Sequence, residues 1–182
     1  MGSPKPLLRL DGETFLDRLI GAFRPHCEPL LAVLGHEAEK IRQGLQRADQ
    51  VRFVLNPAPE GGQLTSLQCG LCEVPEDAAG VIFTPVDYPA VMSSTVAAVV
   101  EAFGAGDVAV VVPTFEGRHG HPVCIGRSLI PDLLQLPENS SARELIHRNV
   151  GRTRYIEVAD AGILRDVDTP EGYSRLLERD AG

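Results

Sequence analysis

The sequence contains no tryptophan, and aromatic residues make up only 5% of its 182 positions. Proteins that bind single-stranded nucleic acids stack bases on aromatic side chains, so this composition argues against such a role. Positive charge is also scarce, because 17 lysines and arginines stand against 25 acidic residues, a net charge of -8. A protein that binds phosphate backbones needs a basic face. We therefore expect no nucleic-acid partner.

Long apolar runs are absent as well. No run reaches the roughly 18 residues that indicate a membrane-spanning helix, and the first residues show no signal-peptide pattern. The four cysteines are too few and too scattered for a dense disulfide framework. The sequence therefore predicts a reduced, cytoplasmic protein with no membrane partner.

What remains is ordinary globular composition, with 43% hydrophobic and 23% charged residues, enough for one domain over residues 1–182. Helically spaced segments such as ETFLDRLIGAF alternate with short apolar runs such as DVAVVVP. Continuous apolar strands between amphipathic helices are typical of a sheet covered on both faces. We therefore expect a three-layer α/β fold with a mostly parallel sheet, interrupted after Pro113 by a hairpin-like excursion in TFEGRHGHPVCIG.

Polar residues follow several of the predicted strands. Asn56 follows VRFVL, Asp87 follows VIFTPV, and Asp166 and Asp168 come shortly after RYIEV. Ligands of parallel α/β sheets bind outside the carboxyl ends of the strands. We therefore expect these residues to share one edge of the sheet.

The segment NPAPEGGQLTSL indicates a tight, irregular loop between a strand and a helix. The backbone N–H groups of Gly61 and Gly62, together with the helix N-terminus, could bind an anion or the edge of a base. A plain strand–helix connection explains the same residues and is slightly favoured on the sequence alone. The residues by themselves leave both interpretations open.

Two acidic turns are candidates for a cation site. Asp87 lies between two prolines in TPVDYP, and Asp168 lies in RDVDTPEG. Either carboxylate could instead cap the helix that follows it, and Pro170 suits the first helical position. Mg²⁺ takes one or two carboxylates together with substrate phosphates. Two acidic turns at one edge favour a cation site more than either does alone.

The remaining reactive residues carry weaker signals. His119 and His121 in RHGHPV have no third ligand at zinc spacing, so substrate contact or a structural turn is favoured over zinc. Cys69 and Cys72 fall in the middle of a predicted helix, which favours burial of both on one helix face over a redox pair. We find no pattern typical of a Ser-His-Asp or Cys-His nucleophile.

In order, the segments GSPKPLLRLDGETFLDRLI, NPAPEGGQLTSLQCGL, TPVDYP, GRHGHPVCIGR and DAGILRDVDTPEGYSRL resemble the MobA-like NTP transferase family, and its molybdenum cofactor cytidylyltransferase branch in particular. The resemblance covers essentially the whole chain. It implies a Rossmann-like fold of the nucleotide-diphospho-sugar transferase type. It also implies transfer of a nucleoside monophosphate, CMP above all, from CTP or GTP to a phosphate-bearing acceptor such as molybdopterin, with release of pyrophosphate and possible delivery to a molybdoenzyme.

The resemblance also implies roles for individual residues. Lys5 would contact the nucleotide phosphates and act in catalysis together with Asp87, with Mg²⁺ neutralising charge. The implied nucleotide-binding residues are Gly2, Ser3, Lys5, Asn56, Gly61, Gly62 and Ser66. The implied metal ligands are Asp87, Asp166 and Asp168, and the implied acceptor contacts are His121 and Pro122. Two alternatives stay open: a sugar-phosphate or other acceptor, and a degenerate protein that binds a cofactor or partner without transfer.

The sequence departs from the family at three places. The family begins with an apolar strand and a glycine-rich loop, of which only Met1 and Gly2 resemble the end. Tyr88 stands where these enzymes often carry glutamine, and LPENSSARELI lacks a Gly-Asp step of the cytidylyltransferase branch. By resemblance the strand is an inner one, so its neighbours would keep unpaired backbone groups, each costing on the order of 1–3 kcal/mol if buried. We hypothesise that Met1 is internal to a longer chain, which the in-frame codons upstream would test.

Overall fold

A computed structural model describes residues 3–180 of the chain. Gly2, one of the expected nucleotide-binding residues, lies outside this range. The helices are α1 Phe15–Phe23, α2 Ala38–Gly44, α3 Gly62–Leu71, α4 Ser93–Gly104, α5 Ile130–Leu134, α6 Ala142–Arg148 and α7 Pro170–Asp180. The strands are β1 Arg9–Leu10, β2 Glu13–Thr14, β3 Leu31–Leu34, β4 Arg52–Leu55, β5 Gly80–Phe83, β6 Val110–Phe115, β7 Arg118–His119, β8 Val123–Gly126 and β9 Thr153–Glu157. The predicted alternation of helices and strands is confirmed.

Local chemistry explains where the first helix begins. The Thr14 hydroxyl oxygen accepts a hydrogen bond from the backbone N–H of Asp17 at 3.1 Å, which caps the N-terminus of α1. The helix then buries Leu19, Ile20 and Phe23 on one face. None of the helices within residues 3–180 is long and apolar enough to cross a membrane.

The larger sheet is mixed, with strand order β5-β8-β6-β7 and with β9 paired to β6. Strand β9 runs parallel to β6, whereas β8 runs antiparallel to both β5 and β6. The reversal begins at Glu116 and Gly117, which both have positive φ and return the chain directly into β7. Because a tight turn leaves no room for a crossover helix, the returning strands are antiparallel. The hairpin-like excursion was thus predicted correctly, and it makes the α/β sheet less uniformly parallel than the strand pattern indicates.

A second, smaller sheet stands apart from the first. It consists of the parallel pair β3 and β4, and within residues 3–180 no strand joins it to β5. Strands β3 and β5 instead face each other across an apolar trench, which is bounded by Leu31–Leu34, Gly80–Phe83 and helices α1 and α3.

The cysteine pair of α3 departs from expectation. Cys69 lies in α3 and is half-buried, but Cys72 follows the last helical residue, Leu71, and is exposed. The prediction that both are buried on one helix face is therefore wrong for Cys72. Cys72 is the C-cap residue of α3 and keeps helical backbone angles, with φ −65° and ψ −21°.

Candidate active site

Asp87 is a buried carboxylate at the carboxyl end of β5. The residue is only 6% exposed, and the backbone N–H of Val167 donates to its carbonyl oxygen at 2.8 Å. That bond fastens the loop carrying Asp166 and Asp168 against the loop that follows β5. Among the described residues 3–180, the Oδ1 atom of Asp87 has no hydrogen-bond partner. A buried carboxylate oxygen without a partner is costly and points to an external ligand.

Lys5 joins the two acidic turns. Its Nζ lies 2.6 Å from Asp168 Oδ1 and 4.0 Å from Asp87 Oδ2. Asp166 is exposed beside them and lines the same cavity as Lys5 and Asp87. Residues that are 163 positions apart in the sequence, Lys5 and Asp168, therefore form one cluster with Asp87 at the sheet edge.

The environment pulls the pKa values of the two aspartates apart. Burial, reinforced by the nearby Asp168 carboxylate and only partly offset by Lys5, raises the pKa of Asp87 to about 6. The hydrogen bond from Lys5 holds the pKa of Asp168 below its ordinary value. At neutral pH, Asp87 is mostly ionised, but it loses its charge within the mildly acidic range.

The acidic cluster suits a divalent cation that arrives with phosphates. Within residues 3–180, no three His, Cys, Asp or Glu side chains are grouped so that they could hold a metal ion alone. Mg²⁺ does not need such a cage, since it binds through one or two carboxylates and completes its shell with water and phosphate oxygens. The unpartnered Asp87 Oδ1 and the exposed Asp168 meet that requirement. The residues present therefore fit a nucleotide-bound cation.

Helix capping, the alternative for both aspartates, is performed by another residue at α7, whereas within residues 3–180 α4 has no side-chain cap. The Thr169 hydroxyl accepts from the backbone N–H of Gly172 at 3.1 Å at the start of α7. Before α4, the N–H of Met92 donates to Asp160 Oδ2 at 2.9 Å. Asp87 and Asp168 cap neither helix, which leaves their oxygens to the Lys5 cluster.

The loop between β4 and α3 is held by Asn56. Its Nδ2 donates to Ser66 Oγ at 3.0 Å and to Thr65 Oγ1 at 3.2 Å, while its Oδ1 accepts from the N–H of Ala58 at 2.9 Å. The side chain is 3% exposed, and these hydrogen bonds hold the loop from within.

The glycines of this loop are required by geometry. A Cβ on Gly61 would lie 2.4 Å from Thr65 Cγ2, and Gly62 has a φ of +84°. Gly61, Gly62 and Ser66 all line the cavity that Asp87 lines. Within residues 3–180, the N-terminus of α3 has no side-chain cap, and the N–H groups of Gly61 and Gly62 donate to the carbonyl oxygens of Ala58 and Pro59.

His121 is a neutral, half-buried side chain that lines the same cavity. Burial lowers its pKa to about 4, and within residues 3–180 its buried Nδ1 has no hydrogen-bond partner. Its ring packs against Tyr88, with ring centroids 4.6 Å apart. The N–H of His121 donates to the carbonyl oxygen of Ile163 at 3.1 Å, which fixes the turn. A neutral imidazole there can exchange a hydrogen bond with a ligand without adding charge.

The structure brings most of the expected site residues to one cavity. Those that line it are Lys5, Gly61, Gly62, Ser66, Asp87, His121 and Asp166. Asp168 contacts Lys5 from the rim, whereas Asn56 and Pro122 are buried behind the surface and Ser3 is exposed. Sequence reasoning overlooked Tyr88 as the partner of His121. The position of Tyr88 directly after Asp87 was the one sequence signal that could have indicated a place in the site.

Comparisons with known proteins agree with this geometry. Residues 1–153 match the family described as MobA-like NTP transferase domain. A molybdenum cofactor cytidylyltransferase from Escherichia coli strain K12 is 22% identical over 179 residues, which cover 98% of this chain and 90% of that protein.

Solved structures share the whole fold. The Mycobacterium sp. strain JC1 homologue of Mycobacterium tuberculosis Rv0371c is 29% identical with a TM-score of 0.84, and the match covers 100% of this chain and 90% of that one. The manganese complex of Rv0371c from Mycobacterium tuberculosis H37Rv is 26% identical with a TM-score of 0.81, over 97% of this chain and 93% of that one. A similar protein thus binds a divalent cation.

Proposed function

Since the chain belongs to the MobA-like NTP transferase family, whose members are nucleotidyltransferases, we propose that it transfers CMP from CTP to a phosphate-bearing acceptor such as molybdopterin. The proposed reaction depends on Mg²⁺ and releases pyrophosphate. The name of the Escherichia coli relative supports the choice of CTP and of a pterin-type acceptor. We place the reaction in the cytoplasm, with a molybdoenzyme as the final recipient of the product.

The observation that carries this proposal is the cluster of Lys5, Asp87 and Asp168 on the cavity that also holds the β4–α3 loop. In the proposed reaction, an oxygen of the acceptor phosphate forms a bond to the α-phosphorus. The bond from that phosphorus to the bridging oxygen breaks, and its electron pair leaves with pyrophosphate. Catalysis of this kind rests on positioning and on neutralising charge.

Lys5 is the residue best placed to neutralise charge directly. Its ammonium group hydrogen-bonds Asp168 at 2.6 Å and is within reach of the space beside Asp87. On nucleotide binding, we expect it to turn from Asp168 to the phosphate oxygens. A divalent cation held by Asp87, Asp168 and phosphate oxygens would supply the remaining positive charge.

Two groups of residues that line the cavity suit the two substrates. The uncapped N-terminus of α3, with Gly61, Gly62 and Ser66, supports binding of the nucleotide. His121, which lines the same cavity, presents an Nδ1 that has no partner within residues 3–180 and, together with Tyr88, would contact the acceptor.

The test combines nucleotide binding with transfer. Thermal-shift titrations with CTP, GTP and ATP, each with and without Mg²⁺, should show the largest stabilisation for CTP with Mg²⁺. Pyrophosphate release should then require molybdopterin. Release with a sugar 1-phosphate alone would favour the sugar-phosphate alternative. Nucleotide binding with no release for either acceptor would favour a protein that binds without transfer.

The chain offers a matched control, because Lys5 and Lys40 are its only lysines. Lys5→Met should lower the rate of transfer about 100-fold or more, as expected for loss of a charge that stabilises the transition state. Lys40→Met should leave it unchanged, since Lys40 pairs with Glu37 on the exposed face of α2. Equal activity of both variants would remove Lys5 from the reaction.

A further inference from the structure

Two aromatic rings lie against each other on the surface of the cavity that Asp87 lines. The rings of His119 in β7 and Tyr155 in β9 are nearly parallel, with an interplanar angle of 17° and centroids 4.4 Å apart. Both side chains are exposed, and both line the cavity. Within residues 3–180, Tyr155 is the one aromatic residue among the exposed large hydrophobic side chains. A ring outside the core adds little stability by burial, but its open face can stack a flat ligand.

The strand register explains why the two rings meet. Thr114 of β6 is the register partner of both His119 in β7 and Glu157 in β9. Register partners carry their side chains on the same face of a sheet, and residues two apart along a strand share that face. Tyr155 is two residues from Glu157, so it projects from the same face as His119. The strand between them carries only the small Thr114 side chain at that level, which leaves room for the rings to stack.

The stacked pair is directly connected to the candidate active site. Only Gly120 separates His119 from His121, and two residues span at most about 7 Å. The ring of His121 packs against Tyr88, with centroids 4.6 Å apart, and Tyr88 directly follows Asp87. A ligand whose ring lies on the stacked pair can therefore reach the acidic cluster with a short side chain that carries a phosphate.

Positive charge lines the same cavity without matching carboxylates. Arg118 and Arg143 are exposed, and both line the cavity. Within residues 3–180, neither guanidinium group forms an ion pair, whereas Arg18, Arg47 and Arg52 each pair with a carboxylate. Acidic partners are plentiful in a chain with a net charge of -8. Two arginines without a carboxylate on one cavity therefore favour an anionic ligand.

A flat ring on this surface could belong to either substrate of a nucleotidyltransferase. The loop with Gly61 and Gly62 follows β4 in the smaller sheet, whereas β7 and β9 flank β6 in the larger sheet. The stacked pair and that loop are thus carried by different sheets. A nucleotide held at the β4–α3 loop leaves the stacked pair to the second substrate.

We propose that His119 and Tyr155 bind the ring of the acceptor by stacking, and that Arg118 and Arg143 bind an anionic group that the acceptor carries. The acceptor is accordingly a flat heteroaromatic ring with a phosphate or carboxylate group, which is the chemistry of a pterin and not of a sugar phosphate. This inference rests on the proposed function in one respect, because it assigns the ring to the second substrate of that reaction.

Binding of small probes tests the stacking without any turnover. 6-Hydroxymethylpterin carries the ring with no charged group, and glucose 1-phosphate carries an anion on a sugar. Tyr155→Leu should weaken binding of the pterin about tenfold or more, as expected for loss of one stacked ring, while Tyr155→Phe should keep it within about threefold. Neither variant should change binding of glucose 1-phosphate. A tenfold loss for glucose 1-phosphate instead would assign the surface to a sugar and overturn the proposal.

A charged probe tests the two arginines. The double variant Arg118→Met, Arg143→Met should weaken binding of pterin-6-carboxylate about tenfold and leave 6-hydroxymethylpterin unchanged. Val150→Ser is the control, because Val150 is exposed outside the cavity, and it should change neither affinity. Equal losses for both pterins, or no loss for the carboxylate, would overturn the assignment of the arginines to the anionic group.

Thermal-shift titration with CTP and Mg²⁺ separates this inference from the proposed function. Tyr155→Leu should bind CTP as well as the unchanged chain does. If its CTP affinity falls and its pterin affinity does not, the stacked ring is the nucleotide base and the proposal is wrong. If the unchanged chain binds pterin through Tyr155 but binds no nucleotide, the proposed function fails and the stacking site is supported. Failure of the unchanged chain to bind either pterin would overturn the stacking site.

A second measurement needs no variant and therefore does not depend on how a variant folds. In NMR titrations, 6-hydroxymethylpterin should shift the side-chain proton signals of His119 and Tyr155 through its ring current. The signals of Tyr173, which packs against Phe15 in another part of the fold, should stay unchanged. Shifts at Tyr173 without shifts at Tyr155 would place the pterin elsewhere and refute the proposal.

Discussion

Replacing Asp87 with asparagine should stabilise the folded chain at neutral pH and at the same time abolish nucleotidyl transfer. The side chain is buried, and its Oδ1 has no partner within residues 3–180. Its nearest cation, Lys5, is 4.0 Å away and hydrogen-bonds Asp168 instead. An amide of the same shape removes the buried charge and can donate a hydrogen bond to Asp168. In the proposed reaction this charge would bind the cation, while in the protein without ligand it lowers the free energy of unfolding.

The pKa of Asp87 sets the size and sign of the effect. Burial raises the pKa from 3.8 to about 6, which at about 1.4 kcal/mol per pKa unit is an upper limit of about 3 kcal/mol. Because the folded state then binds more protons than the unfolded state, the free energy of unfolding falls as pH rises from about 4 to 6 and stays reduced above that. We expect Asp87→Asn to increase the free energy of unfolding by about 1–2 kcal/mol at pH 7.5, or Tm by about 2–8 °C. This increase should shrink toward zero at pH 4.

Thermal and urea unfolding at pH 7.5 and pH 4 would measure this, and CTP-dependent pyrophosphate release would measure the loss of transfer. Asp160→Asn is the matched control, because Asp160 is equally buried but accepts hydrogen bonds from Met92, Thr95 and Gly162. The free energy of unfolding of Asp160→Asn should be about 1–3 kcal/mol lower than that of the unchanged chain at neutral pH. The reasoning is refuted if Asp87→Asn destabilises at pH 7.5, if its gain is the same at both pH values, or if it transfers at the normal rate.

Three further predictions concern the rest of the site. Asn56→Ala should weaken CTP binding about tenfold in calorimetry, because the loop loses the hydrogen bonds that the Asn56 side chain makes with Ser66 and Ala58. Unchanged affinity would show that the loop keeps its conformation without these bonds. Gly120→Ala should lower the free energy of unfolding by about 1–3 kcal/mol in urea titrations, since its Cβ would lie 2.4 Å from Ile163 O, and a neutral outcome would mean that the turn can shift. Chelation by EDTA should stop pyrophosphate release, with recovery on adding Mg²⁺ or Mn²⁺; transfer that persists in EDTA would exclude a cation-dependent reaction.

The regular elements were largely predictable because their signals are local. Apolar spacing predicted α1, and the valine-rich run predicted β6, since side-chain periodicity follows directly from helix and strand geometry. The mixed strand order of the sheet was harder to predict. The turn at Glu116 and Gly117 was visible in the sequence, but which strands the returning chain would separate depends on packing across the whole domain.

The candidate site was predictable in part. The strand-exit rule selected Asp87 and Asp168 correctly as neighbours at one edge, and the resemblance added Lys5. The sequence did not distinguish helix capping by these aspartates from ligand binding. That distinction depends on whether a carboxylate oxygen faces a backbone N–H at the start of a helix. For Asp168 the structure excludes capping of α7, because the Thr169 hydroxyl performs it. Asn56 was expected at the nucleotide, and the structure shows it hydrogen-bonded within the loop.

The sequence by itself determined the order of helices and strands and the acidic and glycine-rich turns at their ends, because each of these is a property of neighbouring residues. Only the tertiary structure decided that Lys5 meets Asp168, that Asp87 is buried with a raised pKa while Asp168 is not, and that His121 is neutral. It also decided that β3 and β5 face each other across an open trench. Burial, desolvation and strand pairing arise between segments far apart in the chain, so no local pattern contains them.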